Sequence, residues 1–599
     1  VETTQEPSAS DLPQSKRKRL PKWATVCEVA VFLLFTVFFL AYGLTPYFGG
    51  DGLGLVGADE PRYAQIAHEM LARVDSAPTI KEKLSACVTP YLYGHPWLEK
   101  PALYYWRAML FFQEFGVHDW TARLPSTTFA FIMIGLIYLH MRRFRPGGHL
   151  DAALITVACA GIIGFSRGAS TDMQMAAPLA IGLLGWYAWY ETDSKFWLYD
   201  IYFFTGLATL AKGPVAPFLA FVIIAAFAFL RKEWSILRRS FWWPGMLLYF
   251  AMVLPWFIAV QHQNPTFFRE FFLEHNLERF ATDRYQHVQP FWYYLVVVIL
   301  AMMPWTVVAV RALVDGILTS VAEWRLRHSK GSKPCASRPG DAFPEFLVLW
   351  ALIPIVFFTF SKSKLPGYIL PSIPPIGILT GDYLFRRRHQ GLNRWELLGH
   401  AALCGIMTMF ALLLPWFVSH RATMPPFNAL TAGLLASFGA AVLILIVVKG
   451  FGVAHLRLVT TGVLVVLVLF LYGVGPFFGI PEIGATKRVI HLLDRAYSAR
   501  PLADRLNYSL VPAVQTVAVF GVRRDIEYGL SFYRNSEVIN YEESGVPDEQ
   551  HLLAVRVTGR RGVDLHTPAA LEEYLEGRHY EQVFTWPEQG LVVYLVGSR

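Results

Sequence analysis

Lys16-Arg17-Lys18-Arg19-Leu20-Pro21-Lys22, followed by an apolar run from about Ala24 to Leu44, decides the fold class. About twenty mostly apolar residues suffice to cross a hydrocarbon core of roughly 30 Å, and a basic cluster before such a run stays on the cytoplasmic side. The run exceeds a signal-peptide core and no small-residue cleavage site is evident. It reads as an uncleaved first membrane helix behind a polar, disordered tail from Val1 to Gln14.

Runs of similar character lie near 121–141, 151–166, 173–190, 197–211, 214–231, 243–260, 291–313, 345–361, 366–385, 396–418, 428–448 and 456–478, which makes about thirteen spans. The clusters Lys16 to Lys22, Arg142/Arg143/Arg145, Arg231/Lys232/Arg238/Arg239, Arg325 to Arg338, Arg386/Arg387/Arg388 and Lys449/Arg457 then all fall on one side. With 54% hydrophobic and 16% charged residues in 599, a set of soluble domains is excluded. The formal charge of +8 resides in alternate loops, so it argues for orientation and against a nucleic-acid partner. The stretch Ala102 to Phe115 is short and aromatic and is assigned to the outer interface. The five cysteines show no CxxC or metal-ligand spacing, and only Cys87 falls on the outer side, so no disulfide is expected.

The expected organisation is a cytoplasmic basic tail (1–23), a polytopic α-helical membrane domain (24–479) with a long outer loop (45–120), and a small extracytoplasmic α/β domain (480–599). The last is read from strand-like runs at Gln515 to Val522, Leu552 to Val557 and Gly590 to Val596 and a helical stretch near Lys487 to Ala499. It contains neither GxGxxG nor a Walker GxxxxGK[ST].

The outer segments carry residues that a passive membrane anchor does not need. The first loop holds Ala58-Asp59-Glu60-Pro61-Arg62-Tyr63 and Pro96-Trp97-Leu98-Glu99-Lys100-Pro101. Further along come Arg167, Thr171-Asp172, Lys212-Gly213-Pro214, Glu274-His275-Asn276-Leu277-Glu278-Arg279-Phe280 with Arg284, and Ser361-Lys362-Ser363-Lys364-Leu365-Pro366-Gly367-Tyr368. Each has a plainer reading: Lys212 and Lys362 snorkel, His275 is a surface residue, and Asp172 caps the next helix. The density of Asp59, Glu60, Arg62, Glu99 and Lys100 among Tyr and Trp favours a site. Cations and a carboxylate at headgroup depth suit a lipid-phosphate-linked donor. Arg and Lys neutralise the departing phosphate, and Asp59 or Asp172 takes the acceptor's proton.

In this order the motifs Asp-Glu-Pro-Arg-Tyr-Ala (59–64), Leu-Glu-Lys-Pro-Ala-Leu-Tyr-Tyr-Trp (98–106), Thr-Asp (171–172), Glu-His-Asn-Leu-Glu-Arg-Phe (274–280) and Ser-Lys-Ser-Lys-Leu-Pro-Gly-Tyr-Ile-Leu-Pro (361–371) resemble the bacterial aminoarabinose transferases of lipid A. Those are polytopic GT-C glycosyltransferases, related to protein O-mannosyltransferases. The resemblance implies an inverting glycosyltransferase of the bacterial inner membrane that uses a polyprenyl-phosphate sugar donor. It implies catalytic Asp59 with Asp172 and Glu99, a donor phosphate held by Arg62, Lys100, Tyr368 and Lys364, and a cavity lined by Glu60, His275 and Arg279. A divalent metal through Glu99 and His275 is optional, and no cofactor is required.

Two features depart from the family pattern: the insertion Arg73 to Val88, and Tyr93-Gly94 where relatives carry Asn-Gly. Both lie in the loop that meets the acceptor, so the sugar and the acceptor stay open. The acceptor is a lipid A-like lipid or, as the alternative, a protein hydroxyl. A lipid or sugar transporter or flippase is the reading from another class, for which repeated halves and broken helices near the midplane with buried ionisable residues are missing from the sequence.

Overall fold

Helix Thr171–Thr192 is the axis of the membrane bundle, because its side chains are apolar or small all round and nearly all are buried, Trp186 and Tyr187 completely. Helix Leu198–Lys212 lies directly against it at Gly185, where a Cβ would run into Asp200. Small residues let two backbones approach this closely. Helices Asp119–Phe144, Val215–Arg231 and Trp243–Gln263 pack against this pair, Phe343–Thr359 reaches it through Phe343 and Phe346, Lys22–Ala41 packs on Asp119–Phe144, and Ile373–Arg387 packs on Phe343–Thr359. Large apolar side chains such as Leu34, Phe203, Phe221, Leu254 and Ile258 stand exposed on their outer faces. That much uncovered apolar surface suits lipid, not water. The computed structural model describes residues 21–48, 52–278, 289–328, 342–419, 453–472, 489–507, 514–557 and 569–599. Arg279, Arg284, the cations 16–19, most of the Arg325 to Arg338 cluster, Lys449 and the expected span 428–448 lie outside the described residues.

Three described helices, Lys22–Ala41, Asp119–Phe144 and Trp243–Gln263, are long and apolar enough to cross a membrane singly. Two further candidates are broken, against the expectation from sequence that broken helices are missing: His149–Val157 with Ala160–Ser166, bent by 61°, and Tyr293–Ala301 with the helix beginning at Thr306, bent by 114°. The second pair corrects the straight span expected at 291–313, for Pro304 cannot continue the hydrogen-bond ladder and the chain turns there. The two breaks meet, with Ala160 donating its N–H to the Met303 carbonyl at 2.9 Å. Such pairing satisfies groups that lipid would leave bare. Other expected spans, among them Leu198–Lys212 and Ile373–Arg387, are helices of only 15 residues. At 1.5 Å per residue they reach about 22 Å, short of the hydrocarbon thickness.

The helix ends bearing the basic clusters interlock at one end of the bundle. Arg145 pairs with Glu191, Arg231 with Glu345 (3.2 Å), Arg386 with Asp315 (3.0 Å) and Arg457 with Asp151. Helix Leu103–Phe115 lies at the opposite end with Tyr104 and Tyr105 buried, packed between helices Asp59–Ser76 and Asp119–Phe144. Its 13 residues are too few to cross.

The chain after 488 forms a five-stranded sheet of order β4-β3-β5-β7-β6, with β3 Val517–Phe520, β4 Ile539–Asn540, β5 His551–Arg556, β6 Tyr580–Trp586 and β7 Leu591–Val596. β3 runs parallel to β4 and β5, while β7 is antiparallel to β5 and β6. Val517, Val519, Leu552 and Ala554 pack on one face against helices Arg500–Asn507 and Arg524–Arg534; Ala518, Phe520, Leu553 and Val555 pack on the other with Leu571 and Leu575. Burial on both faces explains the unbroken apolar runs in β3, β5 and β7. The two-stranded hairpin of the outer loop pairs β1, Tyr91–Leu92, with β2, His95–Pro96.

Candidate active site

Asp59 and Glu60 open the helix Asp59–Ser76, where unsatisfied backbone N–H groups favour carboxylates. The two point to different places. Asp59 keeps its side chain 55% exposed and accepts from Arg62 Nη2 at 2.5 Å. Glu60 is enclosed, accepting from Arg123 Nη2 at 2.6 Å and from the backbone N–H groups of Val56 (3.0 Å) and Ala169 (3.2 Å). Glu60, read from sequence as lining the cavity, holds the first loop, the Asp119 helix and the turn before Thr171 together. That tie brings the helix starts of Asp59 and Asp172 to one place.

Arg62 is the most enclosed cation of the outer loop motif, with its guanidinium 4.7 Å from the Trp97 ring, 5.3 Å from Tyr63 and 5.8 Å from Tyr528. Burial alone would lower its pKa. The nearby Tyr63, Asp59 and Glu99 outweigh burial and hold it above the ordinary arginine value. Its Nε is buried with no acceptor among the described residues, a donor left over for an incoming anion. Burial pushes the Tyr63 and Tyr105 phenols well above their ordinary range, so they stay protonated beside it. Glu99 and Lys100 are half-buried on the segment after the β1-β2 hairpin.

The second group forms at the start of Thr171–Thr192. The Ser170 hydroxyl accepts from the Asp172 N–H and caps the helix, and the Asp172 carboxylate pairs with Lys212. Lys212 Nζ lies 5.0 Å from the Tyr368 ring, and a Cβ on Gly367 would stand 2.6 Å from the Asp172 carboxylate carbon. Lys364 is buried just before the short helix Pro366–Ser372 that carries Tyr368. Lys212, given even weight as a snorkelling residue in the sequence, is thus a partner of the candidate catalytic carboxylate. Gly367→Ala is expected to push Asp172 off Lys212, costing about 1–3 kcal/mol of stability and tenfold or more in turnover. Thermal melting and a rate measurement on the same preparation check both.

His275 belongs to the wide-turned helix Arg269–Glu278, and its side chain lies outside the described residues. Among the described residues no three His, Cys, Asp or Glu side chains gather as metal ligands, and Glu99 faces Arg62. A metal at Glu99 and His275 would need further donors from elsewhere.

Two residues of the site escaped the sequence reading. Arg123 lies within an otherwise apolar helix, and a cation in such a place needs a partner, which was a usable signal. Tyr528 comes from the distant helix Arg524–Arg534, and nothing local in the sequence marks it.

A profile described as dolichyl-phosphate-mannose-protein mannosyltransferase matches residues 99–258. The chain is 28% identical over 421 residues to the undecaprenyl phosphate-alpha-4-amino-4-deoxy-L-arabinose arabinosyl transferase 2 of Pseudomonas fluorescens, covering 69% of this chain and 65% of that protein. It is 27% identical to the corresponding transferase of Edwardsiella ictaluri, covering 69% of this chain and 72% of that one. The matched region therefore spans roughly two thirds of these relatives' length. Among solved structures it is similar to ArnT from Cupriavidus metallidurans bound to undecaprenyl phosphate, with TM-score 0.68, 21% identity and coverage of 96% of this chain and 98% of that one. The apo form of the same protein gives TM-score 0.65 and 22% identity. The chain thus shares the fold of these ArnT structures, and the resemblance to the aminoarabinose transferases read from the motifs is borne out.

Proposed function

We propose that this chain, a relative in sequence and fold of the polyprenyl-phosphate-dependent GT-C glycosyltransferases, moves a sugar from a polyprenyl-phosphate donor to a lipid A-like acceptor. The observation that carries this reading is the pair Asp59–Arg62, in which an exposed carboxylate adjoins an enclosed guanidinium with an open donor. Arg62 and Lys100, with Tyr368 and Lys364 from the second group, hold the donor phosphate at headgroup depth. The acceptor oxygen attacks the anomeric carbon from the side opposite the phosphate. The bond from that carbon to the phosphate oxygen breaks, its electron pair leaves on the phosphate, and the acceptor's proton passes to Asp59. One such displacement inverts the anomeric centre. Asp172, held by Lys212, is the second candidate for proton transfer, and Glu99 trims the charge around Arg62. The names of the similar arabinosyl transferases support an undecaprenyl-linked amino sugar as donor. The mannosyltransferase profile over 99–258 favours a protein hydroxyl as the second acceptor reading.

The reading includes about thirteen spans in the bacterial inner membrane, a cytoplasmic N-terminal side, and the sheet domain with the site on the outer side. Purified protein offered undecaprenyl-phosphate sugars with lipid A in one arm and Ser/Thr peptides in the other tests it. Label appearing in lipid supports the reading, label in peptide supports the second, and none in either overturns both. Orientation is tested separately with a variant keeping only Cys87. In spheroplasts a membrane-impermeant maleimide is expected to label Cys87, faster as pH rises, because burial raises its thiol pKa and thins the thiolate at neutral pH. Labelling only after lysis would reverse the assigned sides.

A further inference from the structure

We infer that Tyr528, carried by the C-terminal sheet domain, is a positioning residue for the phosphate-binding cation Arg62; the inference rests on the phosphate role given to Arg62 above. Helix Arg524–Arg534 packs directly on helix Asp59–Ser76. Phe532 is buried among Leu55, Tyr63, Ala64 and Ala67. The Tyr533 hydroxyl accepts from the Leu55 N–H at 2.7 Å and donates to Asp119 at 3.3 Å. Arg500 fastens the same seam, donating to the Gly52 carbonyl (2.6 Å), Asp119 (2.7 Å) and Asp494 (2.6 Å), while the Gly54 N–H donates to Asp494 at 2.8 Å. The domain is thus joined to the loop segment that leads into Asp59, and its helix cannot shift without moving that segment.

This docking places Tyr528 in a row of groups, Tyr93, Tyr528, Arg62 and Trp97, with separations of 6.3, 5.8 and 4.7 Å between neighbours. The turn of the β1-β2 hairpin has positive φ at Tyr93 (52°) and Gly94 (77°), a conformation that favours Asn-Gly and is strained for a bulky residue. Glu69 holds the turn by accepting from the Tyr93 N–H at 2.9 Å and the Gly94 N–H at 3.3 Å. What the tyrosine supplies there is a ring against Tyr528. Tyr528 also accepts a hydrogen bond from the Arg62 side chain, and unlike a further carboxylate it adds no negative charge to compete with the phosphate. Tyr528 therefore fixes where Arg62 points and leaves its free donor for the ligand.

The test measures binding of undecaprenyl phosphate to the full chain in detergent, alongside melting temperature and sugar transfer. Tyr528→Leu removes both the π face and the hydroxyl acceptor and is expected to raise the Kd about tenfold with unchanged melting; Tyr528→Phe, which keeps the ring and loses only the hydroxyl that accepts from Arg62, is expected to fall between Tyr528→Leu and the parent. In an Arg62→Ala background Tyr528→Leu should add nothing further, since the residue acts through Arg62. Parent-like binding by Tyr528→Leu, equal loss in Tyr528→Phe, or additivity with Arg62→Ala would each overturn the inference, as would a parent protein that does not bind the probe. Binding with the expected pattern but without sugar transfer to any acceptor would sink the proposed reaction and leave this inference standing.

Discussion

Asp59→Asn is expected to lower turnover by about 10²- to 10⁴-fold while leaving donor affinity within a few-fold of the parent. Asparagine has the shape of aspartate, and its Oδ1 can still accept the hydrogen bond from Arg62 that the carboxylate takes at 2.5 Å. What it loses is the capacity to receive a proton. The donor phosphate should be held at least as well, because a negative group beside Arg62 has been removed. A loss confined to kcat, with donor Kd measured independently, separates this role from phosphate binding. Turnover within tenfold of the parent would take the proton-transfer role from Asp59, and Asp172→Asn in the same assay would then be the next variant to read.

The reasons that Asp59 was legible and Tyr528 was not are physical. Asp59, Arg62, Glu99 and Lys100 stand in short motifs on one loop, where charge beside aromatic residues at a membrane boundary is costly unless used. The helices were legible by length and apolar character; the observed Asp119–Phe144, Thr171–Thr192 and Val215–Arg231 lie within a few residues of the runs at 121–141, 173–190 and 214–231. The bend at Pro304 went unread although the proline was a visible signal, since the run 291–313 was read by its length and apolar character alone. Strands β4 and β6 went unread: β4 has two residues, and β6 begins Tyr580-Glu581-Gln582 at a half-covered edge without an apolar run. Tyr528 reaches Arg62 only through the docking of a domain more than 400 residues away in the chain, a relation that periodicity and spacing do not carry.

Glu60, expected from the sequence to line the cavity, has its carboxylate engaged by Arg123 and by two backbone N–H groups. The structure makes Arg123→Met the most damaging single change outside the reacting groups. Arg123 and Glu60 have side chains only 7% and 12% exposed, and Arg123 also donates to the Leu53 and Gly54 carbonyls, the latter at 2.8 Å. Removing the guanidinium strands a carboxylate and two carbonyls in a place water reaches poorly, at a cost of about 3–5 kcal/mol. The melting temperature should fall accordingly, and transfer should fall with it, because Glu60 orders the turn at Ala169 that leads to Asp172. Arg123→Met combined with Glu60→Gln removes the stranded charge, so the pair should recover part of the stability lost by the single variant. A Glu60 that contacted the ligand would behave differently: Glu60→Gln alone would impair transfer at unchanged stability, and adding it to Arg123→Met would restore no melting temperature. Recovery of stability in the double variant therefore places Glu60 in the scaffold that sets Asp59 against Asp172, and absence of recovery returns it to the cavity.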